Sequence, residues 1–153
     1  MTPAIEYLKK HHIDFEILTY ECHVTDDFGH HCAEQLNLDP NQVFKTLLIQ
    51  HEKKSVTAII PVNTRLNLKL AAKAASLKNV EMMKPTDAER QTGYKVGGIS
   101  PFGQKKLVPT LLELSALQYE KIIVSGGKRG VSISIKPQVL AESLQVITAQ
   151  ISE

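Results

Sequence analysis

Apolar and polar positions alternate in a way that divides this chain into short helices and short strands. Thr2-Pro3 marks a helix start, with Thr2 as N-cap and Pro3 in the first turn, and Ile5 and Leu8 fall on one face before the pattern fades at His12. Asp14 to Tyr20 alternates like a strand, Glu21 to Gly29 is a polar loop, and Gly29 to Leu36 predicts a short helix on Ala33 and Leu36. The clearest strand is Val43 to Ile49. Ser55 to Pro61 follows the Glu52-Lys53-Lys54 turn as its hairpin partner. Asn67 caps a helix through Leu77, with Leu68, Ala71, Ala72 and Ala75 at helical spacing. Val80 to Met82 is a short strand, Pro85 opens a helix that ends near Gly93, and Val108 to Leu112 reads as a strand. Lys121 to Ser125 and Val131 to Ile135 are strands around a glycine-rich loop. Pro137 to Leu144 is a helix, and Val146 to Ile151 is a last strand.

These elements lack regular β-α-β alternation. Hairpin-like pairs predict a mixed α/β (α+β) fold: a mainly antiparallel, barrel-like sheet surrounded by helices. No repeat, low-complexity tract or Pro/Ser linker divides residues 1–153, so one domain is expected. The N-terminus lacks the basic and apolar regions of a signal peptide, and no apolar run is long enough to span a bilayer. Two cysteines, Cys22 and Cys32, fit a reducing, cytoplasmic setting better than a disulfide framework.

Composition narrows the class of function. Hydrophobic residues make up 42% and charged residues 22%, as in a globular protein, and the net charge of +2 excludes a dedicated polyanion binder. Lys105, Lys106, Lys128 and Arg129 nevertheless stand beside glycine-rich segments and form a local basic rim.

The run Gly97-Gly98-Ile99-Ser100-Pro101-Phe102-Gly103-Gln104-Lys105-Lys106 carries the strongest chemical signal. Glycine permits positive φ and close approach to a ligand, and Pro101 stiffens the loop. Exposed backbone N–H groups there would suit an ester, carboxylate or phosphate. Ser125-Gly126-Gly127-Lys128-Arg129-Gly130 repeats the pattern, yet neither segment matches a nucleotide-binding fingerprint. As plain structure, both are tight turns with solvated lysines.

Lys45 interrupts an apolar strand. Period two places it with Leu47 and Ile49, opposite Phe44, Thr46 and Leu48. Such a lysine either reaches the sheet edge or directs its cation into a pocket for an anionic or carbonyl group. His30-His31, Cys22, His23 and Cys32 lack metal-ligand spacing, and Cys22-His23 cannot act as a nucleophile–base pair by adjacency on a strand. Ser100 and Ser125 have no G-x-S-x-G context. Tyr20 and Phe28 flank the polar loop, placed either to stack on a base or to pack at its rim.

Taken in order, Thr2-Pro3-Ala4, Phe44-Lys45-Thr46-Leu47-Leu48, Leu68-Lys69 with Ala71-Ala72-Lys73, Val80-Glu81-Met82, Thr92-Gly93-Tyr94, Val96 to Pro101 and Val124 to Gly130 resemble the YbaK/EbsC family of Cys-tRNA(Pro) deacylases, relatives of the editing domain of bacterial prolyl-tRNA synthetases. The resemblance covers nearly the whole chain. It implies a barrel-like mixed fold and a hydrolytic activity that needs no cofactor or metal: removal of cysteine from tRNA(Pro) mischarged by prolyl-tRNA synthetase. By the same resemblance Lys45 is the essential lysine, with Gly97 and Gly98 amides supporting an oxyanion. Gly97 to Pro101, including Ile99 and Ser100, holds the terminal ribose and aminoacyl ester. Tyr20, Phe28 and Thr46 line the pocket, joined by Ser125 and Gly126 of the second glycine segment. Some relatives carry an acidic residue where this chain has Ser132, so no carboxylate role carries over there.

In that family the substrate thiol is thought to attack its own ester. A related editing enzyme for alanine or another amino acid would use water instead, and a binding module would grip tRNA ends or the synthetase without turnover. The low net charge makes a ternary complex of tRNA(Pro), prolyl-tRNA synthetase and this chain the expected working unit.

Overall fold

The computed structural model describes all residues, Met1–Glu153. Its elements run α1 (Pro3–Lys10), β1 (Glu16–Thr19), α2 (Phe28–Gln35), β2 (Phe44–His51), β3 (Lys54–Pro61), α3 (Leu68–Ala74), β4 (Glu81–Met82), α4 (Pro85–Thr92), β5 (Thr110–Glu113), a 3₁₀ turn (Leu114–Gln118), β6 (Ile122–Lys128), β7 (Val131–Ile135), α5 (Pro137–Leu144) and β8 (Ile147–Ala149). The two predicted caps form. Thr2 Oγ1 accepts the Ile5 N–H at 3.2 Å, and Asn67 Oδ1 accepts the Leu70 N–H at 3.0 Å.

The strands form two sheets, ordered β4-β2-β3-β5-β8 and β1-β7-β6. The hairpins β2–β3 and β6–β7 pair antiparallel, as do β2–β4 and β1–β7, while β3–β5 and β5–β8 are parallel. β3 is the central strand of the larger sheet, and seven of its eight residues are buried. Its sequence Ser-Val-Thr-Ala-Ile-Ile-Pro is accordingly a continuous run rather than an alternating one.

Each face of that sheet has its own core. On one side α3 approaches closely through the small residues Ala71 and Ala72, which pack with Ile49, Ile60, Leu111 and Ile151. On the other, Phe44, Ile59 and Leu112 meet the β6–β7 hairpin, α1 and α5. The predicted opposition of Phe44 and Leu48 to Leu47 and Ile49 on β2 therefore holds.

The two sheets share a single backbone bridge, the parallel pair Val43 and Ile123, so the barrel remains open. Beyond this bridge β2 and β6 are not paired, and both line a cavity. Strand β6 runs three residues past its expected end at Ser125, because a bulge between Ser125 and Lys128 absorbs the extra glycines within the ladder. No helix is long and apolar enough to cross a membrane.

Candidate functional site

A cavity of about 360 Å³ opens between the sheets. Strand β2 contributes Lys45 and Thr46, the end of β1 contributes Tyr20, and the start of α2 contributes Asp27 and Phe28. Strands β6 and β7 add Ser125 and Ser132, and the Gly97 turn adds Val96, Gly97 and Ile99. Of the residues singled out in the sequence, Lys45, Tyr20, Phe28, Thr46, Gly97, Ile99 and Ser125 thus converge on one space.

Four others do not line it. Gly98 is buried beneath the turn, where a Cβ would lie 2.9 Å from Lys128 Cα, and its N–H is donated to Lys95 O at 2.8 Å. It therefore has no free N–H for a substrate oxyanion, which corrects the expectation that Gly97 and Gly98 act together. Ser100 is fully buried, its Oγ accepting the Phe102 N–H at 3.2 Å, and the adjacent Pro101 is buried as well. Both form the frame of the loop rather than its binding face. Gly126 sits in the β6 bulge packed on Val131, and its carbonyl accepts Thr2 Oγ1 at 2.5 Å. The second glycine segment is thus a β-hairpin tip and not an open loop.

Gly98 N–H to Lys95 O closes a four-residue turn with Gly97 in third position at φ 90°. Val96 keeps negative φ, so this is a type II turn, which demands glycine or a similar residue there. None of the chain's hydrogen bonds uses the Gly97 N–H. Thr46 Oγ1 is likewise buried and unpaired. Gly97 and Thr46 both line the cavity with this hydrogen-bonding capacity unspent, and burial makes the unsatisfied Thr46 hydroxyl costly unless a ligand completes it.

Lys45 is half-buried, and none of the salt bridges includes it. Burial lowers its pKa below the usual lysine value, the Asp27 carboxylate opposes this, and the Arg65 guanidinium adds to the depression. Lys45 thus lines the cavity within the field of the Asp27 carboxylate but in a salt bridge with none.

Sequence reasoning placed Tyr20 in the wall opposite but missed Cys32. Cys32 lines the cavity, and its Sγ lies 3.3 Å from Ser132 Oγ. Burial raises the Cys32 pKa despite hydrogen bonds from Ser132 and Tyr20, so the thiol stays neutral. Burial also raises the Tyr20 phenol, with Cys32 beside it. Met82 and Met83, at the end of β4, and Val62 complete the apolar part. The only signal for Cys32 in the sequence was its residue type. His30 and His31 diverge: the first pairs with Asp27 Oδ1 at 2.6 Å, and the second accepts the His23 N–H at 3.0 Å.

Arg129 closes the rim. Its Nε donates to Val96 O at 2.9 Å, and its guanidinium lies 4.4 Å from the Phe28 ring centroid.

The family pattern of the aminoacyl-tRNA editing domain matches residues 29–142. The chain belongs to the aminoacyl-tRNA editing family. Among relatives of this editing domain, the Enterococcus faecalis protein EbsC, provisionally named a Cys-tRNA(Pro)/Cys-tRNA(Cys) deacylase, is 40% identical over 91% of this chain and 85% of its own length. A proline–tRNA ligase of Acidithiobacillus ferrooxidans is 31% identical over 56% of this chain, a stretch that makes up 15% of the ligase. In fold, the editing domain superposes with a TM-score of 0.87 on a crystal structure provisionally described as a trans-editing enzyme for prolyl tRNA synthetase. That alignment covers 99% of this chain and 95% of the other at 19% identity. The cavity described above lies between the two sheets of this editing domain, and 22 of its 25 lining residues fall within the matched span.

Proposed function

We propose that this editing domain removes cysteine from Cys-tRNA(Pro), with the substrate's own thiol as nucleophile. The observation that carries this reading is an imbalance in the cavity. It offers an unpaired amide at Gly97, an unpaired hydroxyl at Thr46 and the Lys45 cation, yet no activated nucleophile. The thiol that lines it, Cys32, is held neutral by burial. The wall suits stabilisation of developing negative charge, and the attacking group arrives with the substrate.

In this reaction the cysteinyl sulfur gives up its proton and attacks the ester carbonyl carbon. A carbon–sulfur bond forms, negative charge develops on the carbonyl oxygen, and Gly97 N–H and Lys45 stabilise it. Collapse breaks the carbon–oxygen bond. The terminal ribose oxygen takes a proton and leaves as free tRNA, and the amino acid departs as a cyclic thiolactone. Intramolecular attack gains from high effective molarity and requires no water. The need for a second, editing step follows from size: a pocket separates ligands differing by about one methylene by only about 1–3 kcal/mol.

Neither the charge of +2 nor the rim argues for tight binding of tRNA by this chain alone. We therefore place prolyl-tRNA synthetase in a ternary complex with it. Deacylation of Cys-, Ser-, Ala- and Pro-tRNA(Pro), with and without the synthetase, tests both statements. Loss of the Cys ester alone, with a lower KM when synthetase is added, supports the reading. Equal rates on Ser and Cys esters would replace thiol attack with water attack. Absence of turnover on all four would leave a binding module.

A further inference from the structure

The Gly97 amide owes its direction to a residue outside the reacting set. Type I and type II turns differ by a half-turn of the peptide plane between their two central residues. In the turn Lys95–Gly98 that plane is the Val96–Gly97 peptide. A trans peptide is planar, with its C=O and N–H on opposite sides. Whatever holds Val96 O therefore sets where the Gly97 N–H points.

Glycine at the third position does not hold the plane by itself, because it adopts either sign of φ at little steric cost. Arg129 does hold it: its Nε donates to Val96 O at 2.9 Å. The guanidinium is itself fixed over Phe28, 4.4 Å from the ring centroid, and makes no salt bridge that would neutralise it. Phe28 also fills the space a Cβ at Gly97 would need, with ring carbons at 2.8 Å. Three separate segments, the α2 start, the Gly97 turn and the β6–β7 tip, thus meet at one cation.

We propose that Arg129 is a positioning residue whose hydrogen bond to Val96 O keeps the Val96–Gly97 peptide in the state that presents the Gly97 N–H to the cavity. Its charge on the carbonyl also polarises the same amide, making it a better oxyanion donor. In the flipped state the Val96 carbonyl oxygen replaces the N–H and repels the developing charge. The catalytic consequence rests on the deacylase reading above, whereas the peptide lock does not.

The test uses the full chain with Arg129→Ala and Arg129→Lys, each checked for an unchanged melting temperature, in two measurements. In single-turnover and steady-state deacylation of Cys-tRNA(Pro), Arg129→Ala should lose roughly 10- to 100-fold in kcat with KM within about threefold. Arg129→Lys, which keeps a cationic donor, should recover part of the loss, and ethylguanidinium should rescue Arg129→Ala but not the parent. In the ¹⁵N–¹H spectrum the Gly97 amide should shift or broaden in Arg129→Ala, while the Gly98 amide, bonded to Lys95 O in either flip state, should hold its place. An unmoved Gly97 amide overturns the lock whatever the kinetics. A moved Gly97 amide with kcat within twofold of the parent overturns its role in the reaction. A parent chain inactive on every ester would sink the deacylase reading instead, and the Gly97 resonance would still decide the lock.

Discussion

Cys32 Sγ lies 3.3 Å from Ser132 Oγ, and both side chains are buried at the edge of the cavity that holds Lys45. Burial outweighs this pairing and keeps the thiol neutral rather than nucleophilic. In a Cys22→Ala background, Cys32 should react slowly with a disulfide reagent at pH 7, and its rate should climb only above the ordinary thiol value of 9.0. Cys22→Ala/Cys32→Ser should keep deacylase turnover within about tenfold of the parent, since a nucleophile's loss costs far more. A collapse of turnover in a folded double variant would move the attacking group onto the protein.

Lys45 couples activity to alkaline pH. Its folded-state pKa lies below the usual 10.5, chiefly through burial, so its cation is lost at lower pH than that of a free lysine. Enzyme-dependent deacylation, corrected for spontaneous ester hydrolysis, should fall along that limb. Lys45→Ala should remove it and lower kcat by about 10²-fold or more.

The same residue has an opposite effect on stability. The unfolded chain binds the Lys45 proton more tightly than the folded chain, so stability should rise with pH between the lowered value and 10.5. Lys45→Met should therefore raise the melting temperature at pH 7 while abolishing activity. A melting temperature below the parent's would contradict the burial cost assigned to this cation.

Glu113 works in the other direction. It is buried at the end of β5, where Oε1 accepts the Ile151 N–H at 2.8 Å and the Ser152 N–H at 3.1 Å, and Oε2 accepts the Ser115 N–H at 2.9 Å. Burial raises its pKa, but these amides together outweigh it and hold the carboxyl below its usual value. Its contribution is fully present above the ordinary carboxylate pKa and is lost as pH falls through the lowered one. Glu113→Ala should cost about 1–3 kcal/mol at pH 7, measured by urea unfolding, with a smaller difference from the parent in strong acid.

Gly29 seats α2 directly on Val62, whose side chain occupies the place of any Cβ at position 29. Gly29→Ala should destabilise by about 1–3 kcal/mol and raise KM, because Phe28 must move with the helix. Gly29→Ala/Val62→Ala should be less damaging than the sum of the single changes. Strict additivity in a double-mutant cycle would show that the two positions do not collide.

Local signals in the chain were readable where one residue's chemistry decides a local event. Thr2-Pro3 and Asn67 started helices as expected, and the alternation of Val43 to Ile49 placed Lys45 correctly on β2. The glycine-rich segments were readable as turns but not as surfaces. Gly97 and Gly98 are identical residues in sequence; one lines the cavity and the other is packed on Lys128. That difference arises from the approach of the β6–β7 tip, a contact no local pattern encodes. For the same reason Cys32 and Ser132 carried no joint signal, and the parallel register of Ile59 with Leu112 was invisible, because strand pairing depends on side-chain packing across distant segments.

The small sheet has a consequence in time. Its β1–β7 pairing joins Glu16 with Ser134 and Thr19 with Val131, so the chain must close on itself over most of its length before the Tyr20 and Ser132 walls meet. Such non-local pairing is slow to form. During synthesis, a ribosome-bound chain lacking its last few dozen residues has β2 and Lys45 but not the Ser132 side of the cavity. The cavity is thus complete only once β7 has been made.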